Sequence, residues 1–383
     1  MDSARIVYLR PSKADTWGKC AGYARLMSIV KAPLDDGDND VCEDGTATHE
    51  LVKNMWDSAC VIPWPNVGSM SSNGREITEE LIAGAEEHLD FIRTWGEGQD
   101  DCYTHVEQGI PTGSIFIGAT DGTPDAWWVS PRSTRGKLAD LKMGFAVVEV
   151  WRNPQLIVYA WTLFCLFPHL VDMEVTIVQP RAAHHDGTIR TWLVTREEMR
   201  PLADALQQAA LNAHALDPQC TVSPSCRNCG AAHACRTLQV AGGVGVDISY
   251  GSTPHELTPE QLGYELLKLQ QAHKHMEHRI NGLSAQAESL IKRGSRVPGY
   301  SLERRATRNR WKEDRLSEVE QLGRLFGAQV EAPKKLRTPA QLRGEFPGLD
   351  IEALYAERPT GENVLKATDP NEAIRAFTQR KLK

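Results

Sequence analysis

Two acids and a lysine form the most compact chemical signal in the sequence. Asp125 follows Gly122-Thr-Pro, and Asp140-Leu-Lys142 stands a short distance downstream. If residues 137–150 form a strand, alternation puts Leu138, Asp140 and Lys142 on one face and Ala139, Leu141 and Met143 on the other. A charge withdrawn from water is costly unless it is paired or bound to a metal. Carboxylate oxygens converging from neighbouring strands suit a hard divalent cation, Mg²⁺ or Mn²⁺. A lysine beside them suits the negative charge that develops on a phosphorus under attack. The chemistry within reach of these residues is metal-assisted phosphodiester cleavage. A solvated Asp–Lys pair on an exposed strand face would show the same pattern.

Three further positions bear on this choice. Glu107 lies in the first expected strand and could add a carboxylate ligand, or be an exposed strand residue. His49, at the start of a helix in Gly45-Thr-Ala-Thr-His49-Glu50, is suited to ligation. It is no zinc-protease motif, because Lys53 stands where the second histidine would be. Gln155 and Tyr159 are one helical turn apart and could reach a phosphate or a base together, although a satisfied core pair would look alike.

The elements that must carry these residues follow from periodicity. Trp17, Cys20, Tyr23 and Met27 share one face of a helix expected over residues 13–30. A second helix should begin near Gly45-Thr46. Thr78 caps a third, running to Trp95. From Tyr103 the period becomes two: 103–110, 114–119, 125–130 and 137–150 read as strands. A helix over 153–167 separates them from strands at 173–179 and 188–194. The Asp186-Gly187 pair between those two is a hairpin signal. Thr195 caps a helix to about Leu216. Strands bracketed by helices indicate one mixed α/β layer domain.

Beyond it, Val240-Ala-Gly-Gly-Val-Gly245 reads as a flexible linker. Thr258-Pro-Glu-Gln261 is a capping box with proline at the first helical position. Leu262, Leu266, Leu269, Met276, Ile280, Leu283, Ala287 and Leu290 then recur at heptad spacing, as in a coiled-coil or helical-hairpin stalk. The division expected is 1–240 for the α/β domain, 241–257 for the linker, 258–293 for the long helix and 294–383 for a small α+β accessory region.

The 383 residues carry 43 Lys+Arg against 50 Asp+Glu, so any nucleic-acid surface must be local rather than global. Residues 292–315 concentrate such charge, with Arg304, Arg305, Arg308 and Arg310 among it and Tyr300 and Trp311 interleaved, a pattern able to follow a phosphate backbone. No signal peptide or membrane-spanning run is legible, which points to a soluble, cytoplasmic protein. No Walker-type phosphate loop occurs, so no motor is visible.

Nine cysteines in a chain of this kind read as reduced thiols, and clustered ones as metal candidates. Cys226, Cys229 and Cys235 are closely spaced, and Cys20 could supply a fourth ligand. His233 or Cys220 could instead complete a Zn²⁺ site. Cys42, Cys60, Cys102 and Cys165 are most simply buried or free thiols.

Taken in order, His49, Gly-Thr-Pro-Asp125, Asp140-Leu-Lys142 and Gln155-Leu-Ile-Val-Tyr159 resemble the motifs of the PD-(D/E)XK nucleases, in particular their RecB-like exonuclease branch. The resemblance covers about residues 10–236. It implies a restriction-endonuclease-like fold, a mixed central sheet flanked by helices. It also implies a DNA exonuclease in which His49, Asp125 and Asp140 hold Mg²⁺ or Mn²⁺, Lys142 assists catalysis, and Gln155 and Tyr159 help bind substrate. Two departures stand out: the second acid is Asp, and Lys53 and Asn54 occupy the place of an acid often found one turn after the histidine. Three C-terminal cysteines with one N-terminal cysteine also resemble the iron–sulfur arrangement of this branch. That implies a 4Fe–4S cluster on Cys20, Cys226, Cys229 and Cys235. A looser likeness is to phage-encoded proteins, which implies the cytoplasm of a bacterial host. The partners expected are DNA, a helicase, annealing or single-strand-binding protein, and a second copy of the chain through residues 258–293. A non-cleaving DNA-binding accessory protein and a zinc-stapled interaction scaffold are the rival readings.

Overall fold

A computed structural model describes residues 9–30, 40–58, 67–96, 104–250 and 257–302. Its centre is a five-stranded sheet in the order β1-β2-β3-β4-β5. The strands are β1 (Thr104–Val106), β2 (Ala126–Trp128), β3 (Arg135–Leu141), β4 (Asp172–Val178) and β5 (Ile189–Thr195). Only β3 and β4 pair in parallel; the other neighbours are antiparallel. A parallel pair needs a crossover, and helix α5 (Pro154–Leu166) supplies it. The protein is thus of the mixed α/β class.

Helices bury both faces of the sheet, so every residue of β2 is buried. One layer holds α1 (Ala14–Trp17), α2 (Gly22–Ile29), α5 and α6 (Arg196–Ala213), and it packs on Trp127, Leu138, Val175 and Ile177. The other holds α3 (Asp40–Asp57) and α4 (Glu79–Arg93), packed on Val106, Ala126, Trp128, Ala139 and Leu141. The pleat therefore divides Trp127 from Trp128, one into each core.

Local signals set many boundaries. Thr78 caps α4 by accepting from Leu81 N–H, Asn153 caps α5, and Thr195 forms a capping box with Glu198. Elsewhere the structure corrects the sequence expectations. Residues 114–119 form no strand; they are a turn bridged to Leu9 through Ala119. β3 ends at Leu141 rather than near Val150, because Gln179 captures the following backbone from the side. The first expected helix breaks between α1 and α2, at Gly18–Ala21.

The linker reading at Val240–Gly245 is also corrected. These residues lie inside α7 (Arg236–Tyr250), which packs along α8 (Pro259–Lys292). A Cβ at Gly242 would come within 3.0 Å of Met276 Cγ, and one at Gly245 within 3.2 Å of Ala272 Cβ. The glycines permit two helices to approach rather than a chain to flex. Thr258 caps α8 through Gln261 as expected. That helix is not free-standing, since Gly282 rests against Ala232 and His233. Leu262, Ile280, Leu283 and Leu290 of its stripe stay exposed.

By contacts, Met1–Arg293 with Leu365–Lys383 form one compact unit and Gly294–Val364 another, so the boundary falls after α8. Arg304, Arg305, Arg308 and Arg310, with residues 303–383 of the expected accessory region, and Cys60 and Cys102 lie outside the described residues. Among the described residues no helix is long and apolar enough to cross a membrane.

Candidate active site

Strand register builds the site. Ala126 pairs with Ala139 across β2–β3 and with Val106 across β1–β2. One step further along, the same registers set Asp125 opposite Asp140 and Glu107 opposite Asp125. Glu107 N–H donates to the Asp125 carbonyl at 2.9 Å, which continues the ladder. Three carboxylates thus stand in a row across three adjacent strands, at the end where the sheet opens. Directly opposed residues bring their side chains to the same face, so the row is a cluster.

His49 of α3 closes over this row. Its Nδ1 lies 2.8 Å from Glu107 Oε1 and 3.5 Å from Asp125 Oδ1. Ligand atoms of His49, Glu107 and Asp125 all fall within 4.8 Å of one another. Asp140, 1% exposed, faces the other way along the row. Its Oδ1 accepts from Gln155 Nε2 at 2.9 Å, and its Oδ2 lies 2.7 Å from Lys142 Nζ. Both carboxylate oxygens of Asp140 therefore have a partner, Gln155 on one side and the Lys142 ammonium on the other. Gln155 Oε1 also receives Lys142 Nζ, at 3.3 Å.

The electrostatics show a site that wants positive charge. Burial pushes Asp125 up to about 7; Asp140 and Glu107 push the same way, against His49 and Lys142. His49 is raised to about 9: burial opposes its charge, but Asp125 and Glu107 outweigh burial. Lys142 is also raised, because Asp140 and Asp125 outweigh the cost of burying its ammonium. A proton on His49 and the Lys142 ammonium offset two of the three carboxylate charges, which leaves one in excess when Asp125 is ionised. One imidazole nitrogen and several carboxylate oxygens, with those of His49, Glu107 and Asp125 already gathered, fit a hard divalent cation.

The backbone is bent to make this arrangement. Glu107 has φ of 50°, a left-handed conformation that strains a non-glycine residue. Gly122 is required for a different reason: a Cβ there would stand 2.5 Å from the Tyr159 ring.

The structure gathers His49, Glu107, Asp125, Asp140, Lys142 and Gln155 in one cluster. It alters the expectation for Gln155 and Tyr159. Gln155 spends both ends of its amide on Asp140 and Lys142. Tyr159, 4% exposed, donates to the Thr123 carbonyl at 3.4 Å and braces the Gly-Thr-Pro turn. Both position the acids from behind instead of offering groups to a solvent-side ligand.

Two features escape sequence reasoning. His88 of α4 is wholly buried with neither ring nitrogen partnered, and burial with the charge of His49 pushes it down to about 3. Arg181 joins Asp44 and Glu80 and so ties the β4–β5 turn to α3 and α4. No local spacing links those residues.

The cysteine group lies apart from this row. Gly22 N–H donates to the Gln219 carbonyl at 2.9 Å, which joins the start of α2 to the segment before the cysteines. Thr221, Ser223 and Leu238 donate backbone N–H to the sulfurs of Cys20, Cys226 and Cys235, each at 3.4 Å. Ala231 N–H serves Cys229. Burial pushes Cys229 up to about 11 and raises Cys226, while these N–H groups oppose it. Cys220 faces Cys20 and Cys235, and burial with those neighbours pushes it up to about 12. The four sulfurs that receive N–H groups are Cys20, Cys226, Cys229 and Cys235. His233 is buried, and its pKa is lowered by burial. Cys165 is exposed, away from the group.

Residues 7–350 match the family described as "Protein of unknown function (DUF2800)". The chain belongs to that family. No curated protein matches it. Among solved structures this DUF2800 member is similar to the one titled "Crystal structure of SSO0001", at 10% identity over 61% of this chain and 88% of that one. The TM-score of that match is 0.29.

Proposed function

We propose that this DUF2800 protein is a metal-dependent DNA nuclease of the PD-(D/E)XK, RecB-like kind that hydrolyses phosphodiester bonds. The observation that carries the reading is the row Glu107–Asp125–Asp140, with His49 above it and Lys142 beside it. His49, Asp125, Asp140 and Glu107 would hold Mg²⁺ or Mn²⁺. When bound there, the cation supplies Lewis acidity toward a phosphodiester oxygen and lowers the proton affinity of water.

The chain's own groups do the rest. Asp125, set opposite Asp140 by the strand register, would present its carboxylate to the cation once its proton has left. The Lys142 ammonium faces the charge that develops on the phosphate oxygens. Gln155 keeps Asp140 and Lys142 in register, so neither must be reoriented during the step. Cys20, Cys226, Cys229 and Cys235 would hold a 4Fe–4S cluster, with Zn²⁺ the alternative. Four thiolate bonds there would cross-link the start and the end of the α/β layer domain. DNA is the partner this reading requires. A helicase, annealing or single-strand-binding protein, or a second copy through Pro259–Lys292, could supply processivity.

Incubation of linear single- and double-stranded DNA with the protein, with Mg²⁺, Mn²⁺ or chelator, tests the reading. Shortened products that depend on metal and vanish with Asp140→Ala are expected. Full binding without cleavage under every metal would favour the non-cleaving accessory reading.

A further inference from the structure

The segment from Met143 to Arg152 leaves the sheet at Lys142 and returns to the site at Gln155. Buried side chains hold its backbone. Gln179, fully buried, donates to the carbonyls of Gly144 and Ala146, both at 2.8 Å, and accepts from Val148 N–H at 3.0 Å. Arg190 braces the same turn through the Val148 carbonyl at 3.0 Å and Gln179 Oε1 at 2.7 Å. Met143 and Val150 point into the core. Against this backing Phe145 is 63% exposed and Trp151 60% exposed, with Val147 also in water. Large rings held in solvent by a backbone that buried side chains grip offer a contact surface.

Arg152 supports this. Its backbone is strained, at φ 54°, and its guanidinium lies 4.3 Å from the centre of the Trp151 ring. Phe145 has the Arg181 guanidinium 5.3 Å from its ring centre, held by Asp44 and Glu80. The one exposed acid of the loop, Glu149, approaches His184 at 3.9 Å.

We propose that Phe145 and Trp151, with Arg152, form a stacking platform for unpaired nucleobases of the strand whose phosphate enters the Asp140–Lys142 site. The proposal rests on the nuclease reading and narrows its substrate to DNA with an unpaired strand or end. Phe145 is three residues from Lys142 and Trp151 four from Gln155. Chain reach therefore keeps both within about 10–14 Å of the site, Cα to Cα. Every base has a π-face, so such rings accept any sequence, and the guanidinium answers the adjoining phosphate. In an intact duplex the base faces are covered by one another, which leaves the rings nothing to accept.

Single-stranded oligonucleotides with 2-aminopurine at successive positions provide the test, bound to full-length Asp140→Asn protein so that the strand stays whole. Quenching is expected at one or two adjacent positions, lost on adding Trp151→Ala or Phe145→Ala and recovered with Trp151→Phe. Each lost ring should weaken single-strand binding about tenfold and leave blunt-duplex binding unchanged. With Asp140 intact, Trp151→Ala should raise KM on a single strand and keep kcat. Wild-type affinity in both variants, or equal losses on single strand and duplex, overturns the platform; cleavage that still depends on Asp140 then leaves the nuclease reading standing. Binding of neither DNA form by any of the proteins, with no cleavage, removes both.

Discussion

The carboxylate row and the cysteine group both gather residues from distant parts of the chain, but they are held in opposite ways. At the row, like charges stand side by side at a buried sheet end, Asp125 is pushed up to about 7, and Glu107 sits on strained backbone. At the cysteine group, each of four sulfurs meets a backbone N–H, and the contacts join segments that would otherwise separate. The first region stores unfavourable electrostatics, with like charges gathered and one carboxyl raised. The second has its polar needs prepared locally. The two regions are thus distinguished by how their polar groups are satisfied, not only by their donor atoms.

Variants should separate the two. The largest effect is expected from Lys142→Ala, which should lower cleavage by at least about 10²–10³ in rate. Single-turnover assays at saturating metal will measure it, and a rate within a few-fold of wild type would break the assignment. Acidity comes next. His49, at about 9, and Asp125, at about 7, must both lose protons to ligate, so metal affinity rises with pH. Calorimetry should show Mn²⁺ binding about tenfold tighter per unit from pH 7 to 9 and level above that. His49→Ala should flatten this slope, whereas a wild-type slope in that variant would remove His49 from the ligand set.

The same contrast holds for stability. Cys229→Ser in protein purified without oxygen should lose iron and sulfide and lower Tm by about 5–10 °C, a few kcal/mol for a domain of this size. Colourless wild-type protein carrying stoichiometric zinc would exchange the cluster for the alternative metal. Asp125→Asn should move in the other direction. A carboxyl whose folded pKa is raised costs stability when ionised, fully above pH 7 and not at all near pH 4. Metal-free Asp125→Asn should therefore melt several degrees higher than wild type at pH 8 and together with it at pH 4. A lower Tm at pH 8 would mean that Asp125 stabilises the fold.

What could be read from the sequence follows the same physical division. Thr78, Asn153, Thr195 and Thr258 mark helix starts because capping is local. Alternation around Trp127-Trp128 and Leu138–Leu141 gave two of the central strands for the same reason. The carboxylate row was only half visible. Asp125 and Asp140 stood out by their neighbours, but their juxtaposition depends on the β2–β3 register, which no local pattern encodes. Glu107 joins them because the β1–β2 register carries on one residue past β1. The inward turn of Tyr159 reflects the missing Cβ of Gly122, a packing fact. Val240–Gly245 read as a linker because glycine weakens an isolated helix; contact with Met276 and Ala272 reverses that preference. The loop from Met143 through Phe145 to Val150 looked like continued strand, since the grip of Gln179 upon it is long-range.

The central claim is that the row of acids beside Lys142 cuts DNA. Release of label from end-labelled linear DNA with Mg²⁺, by wild type and by Asp140→Ala matched for folding by Tm, tests it most directly. The account predicts steady release by the wild type, none above background from Asp140→Ala, and none from either protein with chelator present. Equal release by both proteins, or no release by the metal-loaded wild type, would contradict it.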